Sequence, residues 1–167
     1  MRLAPVPIRL VVAVLIVAVL GFADAAYLTI EHYRGVVPPC TVVSGCETVL
    51  TSAYSIVAGV PVSLLGTLYY LVIAVGVFAY IDTKKTNILK WTLSLTIFGL
   101  LMSLWFIFVQ GFILEAWCLY CLGSAASSIA LFILASVVFK KFQITSTNFQ
   151  INSNNQDTIT KSKTGTF

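Results

Sequence analysis

Charge is what this sequence has least of. Asp, Glu, Lys and Arg make up 10% of its 167 residues, where a soluble domain carries about a quarter. That shortfall sets aside a water-soluble globule. Histidine is scarcer still: His32 is the only one. Zinc hydrolases draw on more than one histidine, so that class is set aside too, and His32 reads as an interfacial residue. A basic patch is also missing. The lysines and arginines flank apolar blocks as topological anchors, so no nucleic acid partner is indicated.

What is present is apolar residue in quantity, 59% of the chain, laid down in long blocks. Blocks of that length read as membrane spans, and the expected fold is an all-α integral membrane four-helix bundle. Leu10 to Ile30 forms a first span whose 21 residues cover roughly 30 Å. We read it as retained rather than cleaved as a signal, because further spans follow. Glu31 to Gly59 makes an outer loop broken by Gly35, Pro38 and Pro39, with Gly45 allowing a turn and Cys46 to Ala58 a short interfacial helix. On that helix Val49, Leu50, Ile56 and Val57 are expected to press toward the bundle. Val60 to Ile81 is the second span, with Pro61 in its first turn. Asp82 to Lys90 is a loop, and Trp91 to Gln110 the third span. Gly111 to Glu115 is a tight connection, and Ala116 to Phe139 the fourth span. The membrane domain is thus 1–141. Residues 142–167 are rich in Ser, Thr, Asn and Gln and are expected to be a disordered tail.

Charge placement orients the bundle. Arg2, Arg9, Lys84, Lys85, Lys90, Lys140, Lys141, Lys161 and Lys163 share one side, and only Arg34 lies on the other. Nine against one predicts cytoplasmic N- and C-termini in a cell (inner) membrane. Asp24 interrupts the first span. It reads either as a proton relay or as an outer-end acid hydrogen-bonded to a neighbouring helix, and its position past mid-span favours the second.

In that orientation all four cysteines fall at the outer side, where disulfides form. Cys40 and Cys46 sit on the loop; Cys118 and Cys121 open the fourth span. Spacing alone does not prove connectivity. Two cysteines at i and i+3 on one helix face are near enough for a disulfide, and a helix N-terminus favours thiolate at the first. A loop pair meets a soluble partner, whereas a helix-end pair meets something dissolved in lipid. Thiol–disulfide exchange between the pairs therefore permits a relay from a partner's dithiol to Cys118 and Cys121, and then to a quinone. Three plainer readings compete. Structural staples suit four spans poorly, since an i, i+3 bridge constrains little chain. A single zinc site fits neither the loop spacing nor the intramembrane position. A small buried hydrophobe explains one cysteine but not two pairs on one side.

The order of these features resembles the vitamin K epoxide reductase family, more the prokaryotic members than the animal ones. The resemblance rests on Gly21-Phe22-Ala23-Asp24-Ala25-Ala26-Tyr27-Leu28-Thr29, Gly45-Cys46-Glu47-Thr48-Val49-Leu50-Thr51-Ser52, Gly59-Val60-Pro61-Val62-Ser63-Leu64-Leu65-Gly66 and Trp117-Cys118-Leu119-Tyr120-Cys121-Leu122. It implies that Cys118 and Cys121 are the active-site couple, with Cys121 beside the quinone and Cys118 exchanging with the loop. It implies that Cys40 faces the partner, that Cys46 attacks Cys118, and that Ser52 hydrogen-bonds near the quinone or supports the loop helix. A serine at that place equally bonds its own backbone. The implied acceptor is menaquinone, ubiquinone or phylloquinone, with no metal. The implied partner is a thioredoxin-like (DsbA-like) extracytoplasmic protein acting in trans, because many bacterial relatives carry a fused thioredoxin-like domain where this chain has a polar tail. The animal enzyme's asparagine near the second span corresponds to Val62, and its tyrosine four residues past the CxxC to Ala125. Both changes favour quinone over epoxide as substrate. An animal-type epoxide reductase and a disulfide-stapled, non-enzymatic scaffold are the alternatives. A DsbB-type oxidase places its CxxC in the first loop, the reverse of the order here. Trp105, Phe106, Phe108, Trp117 and Tyr120 are candidate walls of a quinone pocket, but aromatic residues in spans more often pack or form belts.

Overall fold

A computed structural model describes the backbone of residues 7–40 and 45–164, with side chains up to residue 141 and that of Gln143. Among the described residues, four helices are long and apolar enough to cross a membrane: Ile8–Arg34, Val62–Thr83, Thr86–Ile113 and Leu119–Lys141. The chain runs α1 (Ile8–Arg34), α2 (Cys46–Leu50), a 3-10 turn (Ala53–Ser55), β1 (Ile56–Val57), β2 (Val60–Pro61), α3 (Val62–Thr83), α4 (Thr86–Phe108), a π turn (Val109–Ile113) and α5 (Leu119–Thr164). The expected all-α membrane bundle is the architecture found. The first and third spans are longer at their ends than hydropathy alone suggests, whereas the second and fourth start later, at Val62 and Leu119. The α3–α4 link, for instance, shrinks to Lys84 and Lys85, since Lys84 takes the left-handed cap (φ 54°) and α4 starts at Thr86. The α5 backbone continues beyond Lys141 to Thr164, through the polar stretch for which composition suggests disorder.

The core forms where spaced small and apolar residues let helices meet. On α1 the buried positions Val11, Val14, Ala18, Gly21, Ala25 and Leu28 alternate in steps of three and four, one seam of a helix. Across it lie Tyr70, Ile73, Val77 and Tyr80 of α3, and Leu131, Ala135 and Val138 of α5. The outer faces carry Phe78, Trp91 and Phe98, each at least 60% exposed, as a lipid-facing surface requires. Gly21 is needed for a close approach: a Cβ there would overlap the Tyr70 ring. That ring delivers its hydroxyl to α5, 2.7 Å from the Ser124 carbonyl oxygen, 2.7 Å from Ser127 Oγ and 2.8 Å from Ser128 Oγ. A phenol buried in a span needs such partners, and here they join α3 to α5.

The link between α1 and α3 differs from the expected single helix over Cys46 to Ala58. Gly35 (φ 68°) ends α1, with its N–H and that of Val36 returning to His32 and Glu31 carbonyls at 3.1 Å. Helix α2 stops at Leu50, and the next two hydroxyls turn back on the backbone. Thr51 Oγ1 donates to Glu47 O at 2.7 Å and Ser52 Oγ to Val49 O at 2.8 Å. Beyond the 3-10 turn, β1 and β2 pair as a hairpin closed by Ala58 (φ 51°) and Gly59 (φ 80°). Two residues of positive φ match the twist of a tight hairpin. Ile56 and Val57 are 46% and 45% exposed on it, so only Val49 and, in part, Leu50 press toward the bundle as expected. Pro61 pairs with Ile56 in this hairpin and caps α3 instead of standing in its first turn.

Candidate functional site

The CxxC begins where α4 ends. The π turn Val109–Ile113 widens the helix, and adjacent residues Val109 and Gln110 are both buried, at 1% exposed. Gln110 then acts as a template for the connection. Its carbonyl accepts Ala116 N–H at 3.1 Å and its side-chain Oε1 accepts Cys118 N–H at 2.9 Å. Glu115, at φ 48°, turns the chain between them. Cys118 therefore stands just before α5 rather than inside it. Its carbonyl accepts Leu122 N–H at 3.0 Å, and its Sγ lies 3.4 Å from Cys121 N. The thiol occupies the capping place that a serine or aspartate oxygen usually fills. Hydrogen bonds from the Cys121 thiol and from the Cys121 and Tyr120 N–H groups hold the Cys118 thiol below its ordinary range. Burial and the Asp24 carboxylate push the other way without overcoming them. The result favours thiolate at Cys118, the nucleophilic form.

Gln110 was not visible as a site residue in the sequence; the only signal was a lone amide in an apolar run. Replacing it with leucine removes the acceptor of a buried N–H. The expected loss is about 1–3 kcal/mol, read as a lower thermal unfolding midpoint of the detergent-solubilised protein. Alkylation of Cys118 should become slower at neutral pH as its cap loosens.

The loop pair is held against this cap. Cys40 and Cys46 form a disulfide with a Cα–Cα distance of 6.1 Å, while Cys118 and Cys121 are free thiols. Cys46 and Cys118, 2% and 0% exposed, share one apolar cluster with Val49, and Cys40, Tyr120 and Cys121 pack on it. Both flanks of the loop pair are pinned by residues of the CxxC segment. Tyr120 Oη is 3.5 Å from Pro39 O, one residue before Cys40. Gly45, one residue before Cys46, lies on the Trp117 backbone so closely that a Cβ would come within 2.6 Å of Trp117 N and 2.7 Å of its O.

On the other side of the couple is a cavity of about 790 Å³ between the helices. Its lining is mainly apolar, with Leu28, Leu65, Leu68, Phe98, Met102 and Phe106 among the walls. Cys121 opens into it, as do Ser52, Ser124, Ser128, Tyr70, Gln110 and His32. Such a volume with a few polar groups suits a ring with two carbonyl oxygens and an apolar tail. Of the aromatic residues singled out in the sequence, Phe106 is a wall. Trp105 and Phe108 are 51% and 46% exposed and pair with each other at 6.1 Å. Ser52 lines the cavity while its hydroxyl hydrogen goes to Val49 O. Val62 and Ala125 also line it, presenting no hydrogen-bonding side chain there. No group of three or more His, Cys, Asp or Glu side chains able to hold a metal occurs among the described residues.

Comparison with known proteins gives one family. The sequence model of the vitamin K epoxide reductase family matches residues 12–136, which spans α1 through most of the apolar part of α5. No curated protein matches the chain.

Proposed function

This chain belongs to the vitamin K epoxide reductase family and is a multi-pass membrane thiol–quinone oxidoreductase; we propose that it oxidises a thioredoxin-like dithiol protein and so supports disulfide formation outside the cytoplasm. The observation that carries this reading is the position of the couple. Cys118 is packed with Cys46 on one side, and Cys121 opens into the apolar cavity on the other. Electrons entering through the loop leave on the lipid side.

The partner's thiolate attacks the Cys40–Cys46 disulfide at Cys40 and frees Cys46. Cys46 next attacks the Cys118 sulfur of the oxidised couple and releases Cys121, the partner's second thiol displaces Cys40 to close the partner's own disulfide, and Cys40 then attacks Cys46 to remake the loop disulfide and release Cys118. The Cys118–Cys121 dithiol is thereby regenerated. The quinone, once bound, supplies an acceptor for two electrons and two protons. Ser124 and the Gln110 side-chain N–H are cavity groups that would donate to its oxygens, Ser52 stands on the wall with its hydrogen given to Val49 O, and the apolar walls would hold the tail. Val62 and Ala125 offer no hydrogen bond to an epoxide oxygen, which favours quinone over epoxide as the substrate. Menaquinone, ubiquinone and phylloquinone are all of the right class.

The test is a trap. In a Cys46→Ala variant the free Cys40 thiol attacks the disulfide of the oxidised partner and no Cys46 remains to resolve the product, so the partner should accumulate on Cys40 and be identified by mass spectrometry after non-reducing purification from membranes. Cys40→Ala should capture nothing, yet still pass electrons from a small membrane-permeant dithiol to quinone. Quinone reduction at the parent rate by protein with all four cysteines replaced would sink the relay.

A further inference from the structure

Two buried side-chain oxygens have no hydrogen-bond partner among the described residues, Asp24 Oδ2 and Tyr69 Oη. The bonded helix neighbour expected of Asp24 is thus missing at that oxygen, and Asp24 does not line the cavity. Tyr69 does. It packs edge-on against Tyr70 at 5.0 Å, yet the two hydroxyls go to different helices. That of Tyr70 is committed to Ser124, Ser127 and Ser128 of α5. That of Tyr69 rests on Gly99 of α4, where any Cβ would overlap it. The glycine leaves room for the hydroxyl, and no acceptor meets it there. A buried hydroxyl left without a partner is costly, and such a group calls for an explanation. Here the explanation lies in the cavity that the Tyr69 ring already walls. Ser103 stands beside it. It is one turn of α4 from Gly99, on the same face, 8% exposed, and lines the same cavity. Ser94, on this helix too, gives its hydroxyl hydrogen to Lys90 O at 2.9 Å. The Ser103 hydroxyl has no such bond among the described residues. Helical rise gives the depth: Ser103 and Gly99 precede Gln110 by about two and three turns, roughly 10 and 16 Å along the axis. Gln110 marks the couple's end, since its Oε1 accepts the Cys118 N–H. The cavity therefore has polar groups at two depths, with Gln110, Ser124 and Cys121 near the couple and Tyr69 and Ser103 further in.

We propose that the Tyr69 hydroxyl, with Ser103 beside it, donates to the quinone oxygen that points away from Cys121, so that the ring is held by one oxygen at the couple and by the other at this pair. This rests on the quinone-reductase reading above and names the residues that select a ring carrying an oxygen at each end. Both side chains are able to donate, and a quinone oxygen only accepts. Tyr69 has no hydrogen bond to break, so a tilt of its ring off Gly99 brings the hydroxyl into the cavity. Ser103 needs only rotation about its side-chain bond. The walls around them are apolar, and a hydrogen bond in such surroundings is stronger than one in water. A few placed donors in an otherwise apolar cavity are what fix the orientation of a ligand. A hydrocarbon ring of the same shape would fill the space and leave both hydroxyls unpartnered.

The test is binding rather than turnover. The full-length protein in detergent, with its couple oxidised so that no thiol adds to the probe, is titrated with a tail-less methylnaphthoquinone. The Kd is read from the rise in the thermal unfolding midpoint. Tyr69→Phe and Ser103→Ala should each weaken binding about tenfold, as loss of a buried hydrogen bond does. Methylnaphthalene, the same ring without its oxygens, should bind the parent and both variants alike. Without any ligand, Tyr69→Phe should unfold at or above the parent midpoint, because it removes a hydroxyl that nothing satisfied. A lower ligand-free midpoint, or a chain that does not fold, would make the hydroxyl structural and overturn its assignment. A quinone Kd unchanged in Tyr69→Phe also overturns that assignment, and one unchanged in Ser103→Ala overturns the part given to Ser103; the quinone reading survives either result. Equal losses for the quinone and the hydrocarbon would mean lost shape rather than a lost bond, and would overturn the proposal too. A parent that binds the quinone no better than methylnaphthalene would sink the quinone reading itself, and this proposal with it.

Discussion

Cys121→Ala is expected to abolish quinone reduction by a dithiol-carrying partner, by roughly a thousandfold or more, equivalent to about 4 kcal/mol of barrier. The reason is topological. Cys121 is the member of the couple that opens into the apolar cavity, while Cys118 is fully buried against Cys46. Without Cys121 the Cys118 sulfur cannot close a disulfide with its neighbour. It remains able to bond to Cys46, with which it already shares a cluster. The variant should therefore accumulate an internal Cys46–Cys118 disulfide with Cys40 free, visible as a cross-linked peptide pair in a non-reducing digest. Cys118→Ala should lose the same activity without accumulating that species. If both variants gave the same peptide map, the division of labour between the two sulfurs would be wrong. If Cys121→Ala kept its activity, the cavity would have no part in the chemistry.

The spans were legible in the sequence because lipid imposes one demand along each of them. A run such as Leu10 to Ile30 has no alternative to a helix, since every backbone group must be bonded within the segment. The cysteine pairs were legible because four thiols in two short-spaced pairs have few uses. The cap geometry was not legible. Whether α5 begins at Ala116 or at Leu119 depends on Gln110, eight residues upstream, and on a π turn that no periodicity announces. The end of α2 was equally hidden. Thr51 and Ser52 are tolerable in a helix, yet the chain leaves it at Ser52, which is extended at φ −66° and ψ 158°. Ser52 illustrates the limit well: its hydroxyl bonds its own backbone, one of the two readings the sequence left open, on a residue that also lines the cavity. Asp24 reads in the sequence as an acid with a hydrogen-bonded helix neighbour, and its buried Oδ2 has none among the described residues.

Gly45→Val is expected to separate the two cysteine pairs while leaving each intact. Gly45 needs no special backbone angle, with φ −97° and ψ 0° open to any residue. The constraint is space. A Cβ would approach Trp117 N and O to 2.6 and 2.7 Å. These are backbone atoms of the residue that precedes Cys118, and they cannot rotate aside as a side chain could. Overpacking of this kind typically costs 1–3 kcal/mol when the surroundings must shift. The side that shifts is the loop, because the Trp117–Cys118 segment is anchored by Gln110 at 2.9 Å whereas Cys46 is the first residue of a five-residue helix. Lifting that helix takes Cys46 away from Cys118, and sulfur-to-sulfur attack tolerates little displacement, since a 1 Å misplacement can cost about a hundredfold. Partner-driven quinone reduction should therefore fall about a hundredfold. Reduction driven by a small membrane-permeant dithiol that acts directly on Cys118–Cys121 should stay within about twofold of the parent, as expected where the cavity side is untouched. The Cys40–Cys46 disulfide should still form, as read by thiol counting. Gly45→Ala should show the same split to a smaller degree, because its single methyl meets the same two atoms without the second branch. A Gly45→Val variant that lost both activities together would mean that the loop supports the couple itself and is more than a carrier of electrons to it.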